Sequence, residues 1–125
     1  MRKPILCLDF DGVLHSYKSG WKGADVIIDP PVPGALEALK RYVESGLEVH
    51  IYSSRSNEEN GILAMQLWLS AALIDADLEG PWADQIKWPR SKPPAKVSID
   101  DRAIPFDGTW PDPEAIHNFK PWNMR

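Results

Sequence analysis

The stretch ILCLDFDGVLHSY, residues 5–17, decides how the rest of the chain is read. It continues an apolar run, and residues 3–10 together read as a strand buried on both faces. The strand ends in Asp9-Phe10-Asp11, and Gly12 follows at once. Two carboxylates behind a buried strand cost free energy unless something cationic meets them. Gly12 suits a sharp turn out of the strand, because a residue without Cβ adopts positive φ freely.

Outward from this stretch, strands alternate with helices. Residues 15–32, with Gly20, Gly23 and the proline run at 30–33, predict a loop or short hairpin. A helix is expected over 33–45, where Pro33 sits near the start, Leu36, Leu39, Tyr42 and Val43 recur at helical spacing, and Gly46 closes it. LEVHIYSS (47–54) reads as a second strand, and residues 58–76 as a helix with Ile62, Met65, Leu69 and Leu73 on one stripe. DQIKW (84–88) and AKVSID (95–100) predict a third and a fourth strand, and AIPFDG (103–108) a short fifth. Residues 112–119 predict a last short helix capped by Asp112. This order predicts an α/β fold with a mostly parallel central sheet of about five strands flanked by helices.

The chain has 125 residues, which fits one domain over 1–125 with a core that needs no staples. Its 14 basic and 18 acidic residues leave a net charge of −4, which argues against a general nucleic-acid or membrane-surface coat. Cys7 is the single cysteine and lies inside the first apolar run, so a buried, inert thiol is expected. The apolar run before Asp9 is too short for a signal peptide or a membrane span, so the chain is read as cytoplasmic with no membrane partner.

In open parallel sheets ligands bind beyond the carboxyl ends of the strands. Here those ends carry Asp9 and Asp11, then Ser53-Ser54-Arg55, then Asp100-Asp101-Arg102, with Lys92 in the loop before the fourth strand. Each piece alone is ordinary: an acid pair caps turns, a serine ends strands, a lysine is solvated. Together they form an oxygen-rich pocket for a hard cation such as Mg²⁺, which takes one or two carboxylates plus waters and substrate phosphate. A carboxylate is then a sensible nucleophile toward phosphorus. About 4 Å from one phosphate charge it is repelled by roughly 4 kcal/mol at an effective dielectric near 20, and Mg²⁺ offsets that repulsion.

LDFDGVL, then HIYSS, then a lysine upstream of VSIDD, resembles the ordered motifs of the haloacid dehalogenase (HAD)-like superfamily, in its phosphatase branch. The likeness spans residues 5–102, and about 40 residues between the first two motifs leave no room for a cap domain. The resemblance implies a Rossmann-like, capless fold and a Mg²⁺-dependent phosphomonoester hydrolase working through an aspartyl-phosphate. It implies that Asp9 attacks phosphorus and ligates Mg²⁺. Asp11 would protonate the leaving alcohol, activate the water and turn its backbone carbonyl to the metal. Ser53 and Lys92 would hold the phosphoryl group, and Asp100 would complete the metal shell. Asp101 would point away if the strand stays regular, and so stand behind the ligands. Gly12, Ser54 and Arg55 are grouped as substrate-binding, Arg55 serving either a second anionic group or a surface salt bridge. Lys87 and Lys96 remain alternatives to Lys92, although Lys87 lies within a strand.

Rival readings fit less well. Counted from Asp9 as position one or three, an EF-hand loop finds Leu14 where it needs glycine or Lys18 where it needs Glu. Receiver domains carry the phosphorylated Asp on the third strand, which here ends in no acid. Glycosyltransferases with a DxD are usually larger and lack the Ser–Lys–Asp series. Dehalogenases lack the second acid. A non-catalytic metal- and phosphate-binding module is the alternative that keeps the same residues. The expected substrate is a phosphorylated small molecule or a macromolecular end, with a lid borrowed from a neighbouring subunit as one variant. Lys87, Trp88, Arg90, Lys92 and Lys96 form a basic segment with an aromatic, and nucleic-acid ends are a less favoured substrate. The solvated loop with Trp88 packed beneath it is the preferred reading there, the other tryptophans are read as core or flap residues, and His15 as a loop residue without a role.

Overall fold

The computed structural model describes residues 2–125. Three strands form one parallel sheet: β1 (Ile5–Leu8), β2 (Glu48–Ile51) and β3 (Val97–Ile99), in the order β2-β1-β3. Three helices accompany them: α1 (Ala35–Glu44), α2 (Gly61–Asp75) and α3 (Pro113–His117). The fold is therefore α/β with a small parallel sheet. Among the described residues no helix is long and apolar enough to cross a membrane.

The central position of β1 follows from its composition. Leu6, Cys7 and Leu8 are all buried, as a strand covered on both faces requires. α1 turns Ala35, Leu36, Leu39 and Val43 inward, at the spacing that puts them on one face. α2 buries Met65, Leu69 and Leu73 against the same core, and Ile62 packs partly against it. Gly61 opens α2 tightly against the preceding 3₁₀ turn: a Cβ there would overlap the carbonyl of Arg55.

The sheet has three strands where the sequence predicts about five. Residues 84–88 do not form a ladder. Pro81–Gln85 wind into a 3₁₀ turn with Trp82 buried, and only Lys87 pairs, as a single parallel bridge with His50. Its N–H donates to Val49 and its carbonyl accepts from Ile51. Pro89 stops the pairing, since it has no N–H to donate. Residues 103–108 form no strand either. Pro105 interrupts the donors, Gly108 takes φ +97°, and Ile104 and Phe106 stay exposed. The last helix forms after Asp112 with Pro113 in its first turn, but the Asp112 side chain makes no capping hydrogen bond. Trp88 packs partly against the core, and Trp68 and Trp82 join it, whereas Trp21, Trp110 and Trp122 are exposed.

Candidate active site

Parallel register builds the site. Leu8 of β1 lies beside Ile51 of β2 and Ile99 of β3. One residue further on, the Asp9 N–H donates to the Ile99 carbonyl (3.0 Å) and the Tyr52 N–H to the Leu8 carbonyl (3.1 Å). Asp9, Ser53 and Asp100 therefore leave the sheet at one edge. Oxygens of Asp9, Asp100 and Asp101 lie within 4.8 Å of one another.

Asp101 belongs to this cluster rather than behind it. The alternation that would turn it away lapses because β3 ends at Ile99. Residues 100–102 turn instead, with the Arg102 N–H donating to Asp100 Oδ1 (2.9 Å), and the Asp101 side chain is only 4 % exposed. Gly12 makes room for it. Gly12 has φ +81°, and a Cβ built there would overlap the Asp101 carboxylate. Gly12→Ala is thus expected to combine a left-handed strain of about 1–2 kcal/mol with displacement of Asp101. Calorimetric titration with Mg²⁺ should show weaker binding than in the wild type. Equal affinity would mean that Asp101 does not help to hold a cation.

Three carboxylates this close repel one another unless a proton or a cation intervenes. Asp9 shows the consequence: its carboxyl is raised from the ordinary 3.8 to about 8. Burial is the main cause, and Asp100 and Asp101 add to it, while the Phe10 N–H (2.8 Å to Asp9 Oδ1) works in the opposite direction. The donor set is all carboxylate oxygen, which suits a hard divalent cation.

Asp9 and Asp100 also line a cavity of about 170 Å³ with Ser53, Ser54, Lys92 and Cys7. Ser53 Oγ accepts the Arg55 N–H (3.0 Å) at the head of the 3₁₀ turn Ser54–Asn57, which leaves its own hydroxyl proton to donate. Of the three candidate lysines, Lys92 is the one on this wall. Lys96 precedes β3, where its N–H donates to Ile5 at the opposite end of the sheet, and Lys87 bridges beyond β2. Burial pushes the Cys7 thiol up, consistent with an inert residue.

Asp11 faces a different set of partners. It lines a neighbouring cavity of about 300 Å³ with Asp9, Ser54, Asp100 and Asp101, but its carboxylate is held by two basic side chains. Arg55 grips it with Nε to Oδ2 (2.9 Å) and Nη2 to Oδ1 (3.2 Å). His15 Nδ1 lies 2.9 Å from Oδ1. The Asp29 N–H points at His15 Nε2 (3.1 Å), so Nε2 accepts and Nδ1 carries the proton that Asp11 receives.

Arg55 is fully buried. Its Nη1 donates to the carbonyls of Gly23 (2.8 Å), Ala24 (2.9 Å) and Val26 (3.3 Å), and Trp21 covers it at 4.8 Å. All three of its nitrogens are thus engaged within the protein, tying the 16–32 loop to Asp11. His15 is equally buried, against Phe10 and Trp68. Sequence reasoning missed the role of His15, and for Arg55 it offered a substrate anion or a surface salt bridge where the structure has a buried pair with Asp11. The only local signal was a histidine and an arginine each directly after a motif, and neither pattern predicts burial.

Comparison of the chain with protein-family models, with curated proteins and with solved structures finds no match in any of the three.

Proposed function

We propose that this protein is a Mg²⁺-dependent phosphomonoester hydrolase that works through an aspartyl-phosphate, on a capless HAD-like fold. The observation that carries the reading is the convergence of Asp9, Asp100 and Asp101 on one point, with Ser53 and Lys92 on the adjoining cavity wall. Asp9, Asp100 and Asp101 would hold the metal, together with the backbone carbonyl of Asp11. When bound, Mg²⁺ neutralises the carboxylates and the phosphoryl oxygens, so that like charges can approach.

The chain's own groups do the rest. Asp9 Oδ forms a bond to phosphorus as the ester P–O bond breaks, and the Asp11 carboxylate relays a proton from solvent to the departing alcohol, the proton it later takes from the attacking water going back to solvent. Asp11 then takes a proton from the water that attacks phosphorus. The acyl-phosphate P–O bond breaks, which returns Asp9 as a carboxylate and releases inorganic phosphate. Lys92 and the Ser53 hydroxyl meet the non-bridging oxygens throughout. Arg55 and His15 orient Asp11 between these two proton transfers.

Phosphate release from an aryl phosphate, sugar phosphates and nucleotides, with Mg²⁺ or with chelator, tests the reading. Turnover is expected only with the metal. Lys92→Met should lower kcat/KM by about 10²-fold, because a charge-assisted contact to the transferring phosphoryl group is lost. Metal-independent turnover, or none on any ester, would overturn the proposal.

A further inference from the structure

Beside the carboxylate site lies a larger cavity, of about 670 Å³. Tyr17, Val32, Pro33, Trp122 and Met124 give it apolar walls, and Lys18 and Arg102 add two cations. The volume falls within the roughly 300–1,000 Å³ of small-molecule sites. Tyr17, Asp101 and Arg102 line both this cavity and the one that holds Asp9 and Asp11, so the two meet along a shared wall.

Three features show that the cavity is built rather than incidental. Trp122 is anchored over the motif loop, its Nε1–H donating to the Gly12 carbonyl (2.8 Å), while Asn123 Nδ2 reaches the Ser16 carbonyl (3.4 Å). Tyr17, at the junction of the two cavities, has φ +59°, a left-handed conformation that is costly for a bulky residue and accumulates at functional sites. Ser16 lines the cavity and is 6 % exposed, yet its hydroxyl has no hydrogen-bond partner among the described residues. A buried hydroxyl without a partner is unusual and suits a ligand that supplies one.

We propose that this cavity holds the alcohol side of the substrate, and that this side carries a planar heteroaromatic ring, as in a nucleotide. The inference rests on the phosphomonoesterase reading for the position of the phosphate. The ring lies against Trp122 and Tyr17, with Val32, Pro33 and Met124 closing the apolar wall. Ring or sugar heteroatoms meet the Ser16 hydroxyl. Lys18 and Arg102 draw the anionic ester toward Asp9. The same chemistry is offered by a free mononucleotide and by the terminal nucleotide of a strand.

The test compares kcat/KM for adenosine monophosphate, a phosphorylated oligonucleotide end and glycerol 2-phosphate, which has no ring. The wild type should prefer the ring-bearing esters by at least about 10-fold, the scale of one aromatic stacking contact. Trp122→Ala and Met124→Asp should both collapse that preference, mainly through KM. Met124→Asp keeps the Trp122 bond to Gly12, so its effect separates lost ligand contact from a loosened loop. Preference for the mononucleotide or for the strand end supports the ring site in either case and names its source. Hydrolysis of all three esters at similar kcat/KM, unchanged in both variants, overturns the ring site and leaves the phosphatase standing. If no ester is hydrolysed, binding of adenosine monophosphate measured by calorimetry decides: binding weakened by Met124→Asp supports the cavity without the chemistry, and no binding overturns it.

Discussion

Asp9→Asn is expected to abolish phosphate release and, in the same protein, to raise the melting temperature of the metal-free form at pH 8. The first effect follows from the chemistry. An amide oxygen is a poor nucleophile and a poor partner for a divalent cation, so kcat should fall by at least about 10³-fold. The second follows from linkage. Asp9 holds its proton up to about pH 8 in the folded chain but only to its ordinary 3.8 when unfolded. Between those values the folded state binds more protons than the unfolded state. The contribution of Asp9 to the stability of the metal-free wild type therefore declines as pH rises from about 4 through about 8. The neutral amide of the Asp9→Asn variant carries no such penalty. Part of the ionisation cost is screened by water at the open edge of the site, which leaves a difference on the order of 3 kcal/mol, or about 10 °C, at pH 8. Added Mg²⁺ should stabilise the wild type and barely move the variant. Thermal unfolding at pH 5 and pH 8, with and without Mg²⁺, measures all of this. Parallel pH profiles for the two proteins would show that Asp9 is not strained by its neighbours.

Arg55→Met is expected to have the largest effect on stability. It removes a bidentate ion pair to Asp11 and the donors that three loop carbonyls share. What remains is Asp11 facing a buried apolar side chain, and breaking a buried pair on one side costs about 3–5 kcal/mol. For a chain of this size that lowers the melting temperature by about 10–20 °C. Arg55→Lys should recover little, since an ammonium cannot grip both oxygens and the loop carbonyls together. Adding Asp11→Asn to Arg55→Met should restore part of the loss, because the stranded charge disappears. Urea unfolding of the wild type, Arg55→Met, Asp11→Asn and the double variant gives the coupling directly, and thermal unfolding of the same proteins gives the melting temperatures. A fall of under about 3 °C for Arg55→Met would mean that the loop is held by other contacts.

Helix α1 was legible because its signal is local. Its stripe of Leu36, Leu39 and Val43 repeats at the helical period, and such periodicity depends only on near neighbours. The same holds for the buried run of β1 and for Gly12 as a turn. The missing strands were not legible. DQIKW has strand-like composition, yet Pro81, Pro89 and burial of Trp82 favour a 3₁₀ turn with a single bridge. Short apolar runs carry no information about whether an edge is free to receive them.

In the site, the sequence by itself determined the chemical inventory: acids after one strand, a hydroxyl after the next, a lysine and two more acids around the third. That inventory is set by which side chains end each apolar run. Only the tertiary structure decided who meets whom. Register between β1 and β3 put Asp9 beside Asp100, a turn after Ile99 brought in Asp101, and the absence of a Cβ at Gly12 let it approach. Burial converted Arg55 and His15 from loop residues into the supports of Asp11. These pairings join residues as far apart as Asp11 and Arg55, and they depend on packing and desolvation, which no local pattern encodes.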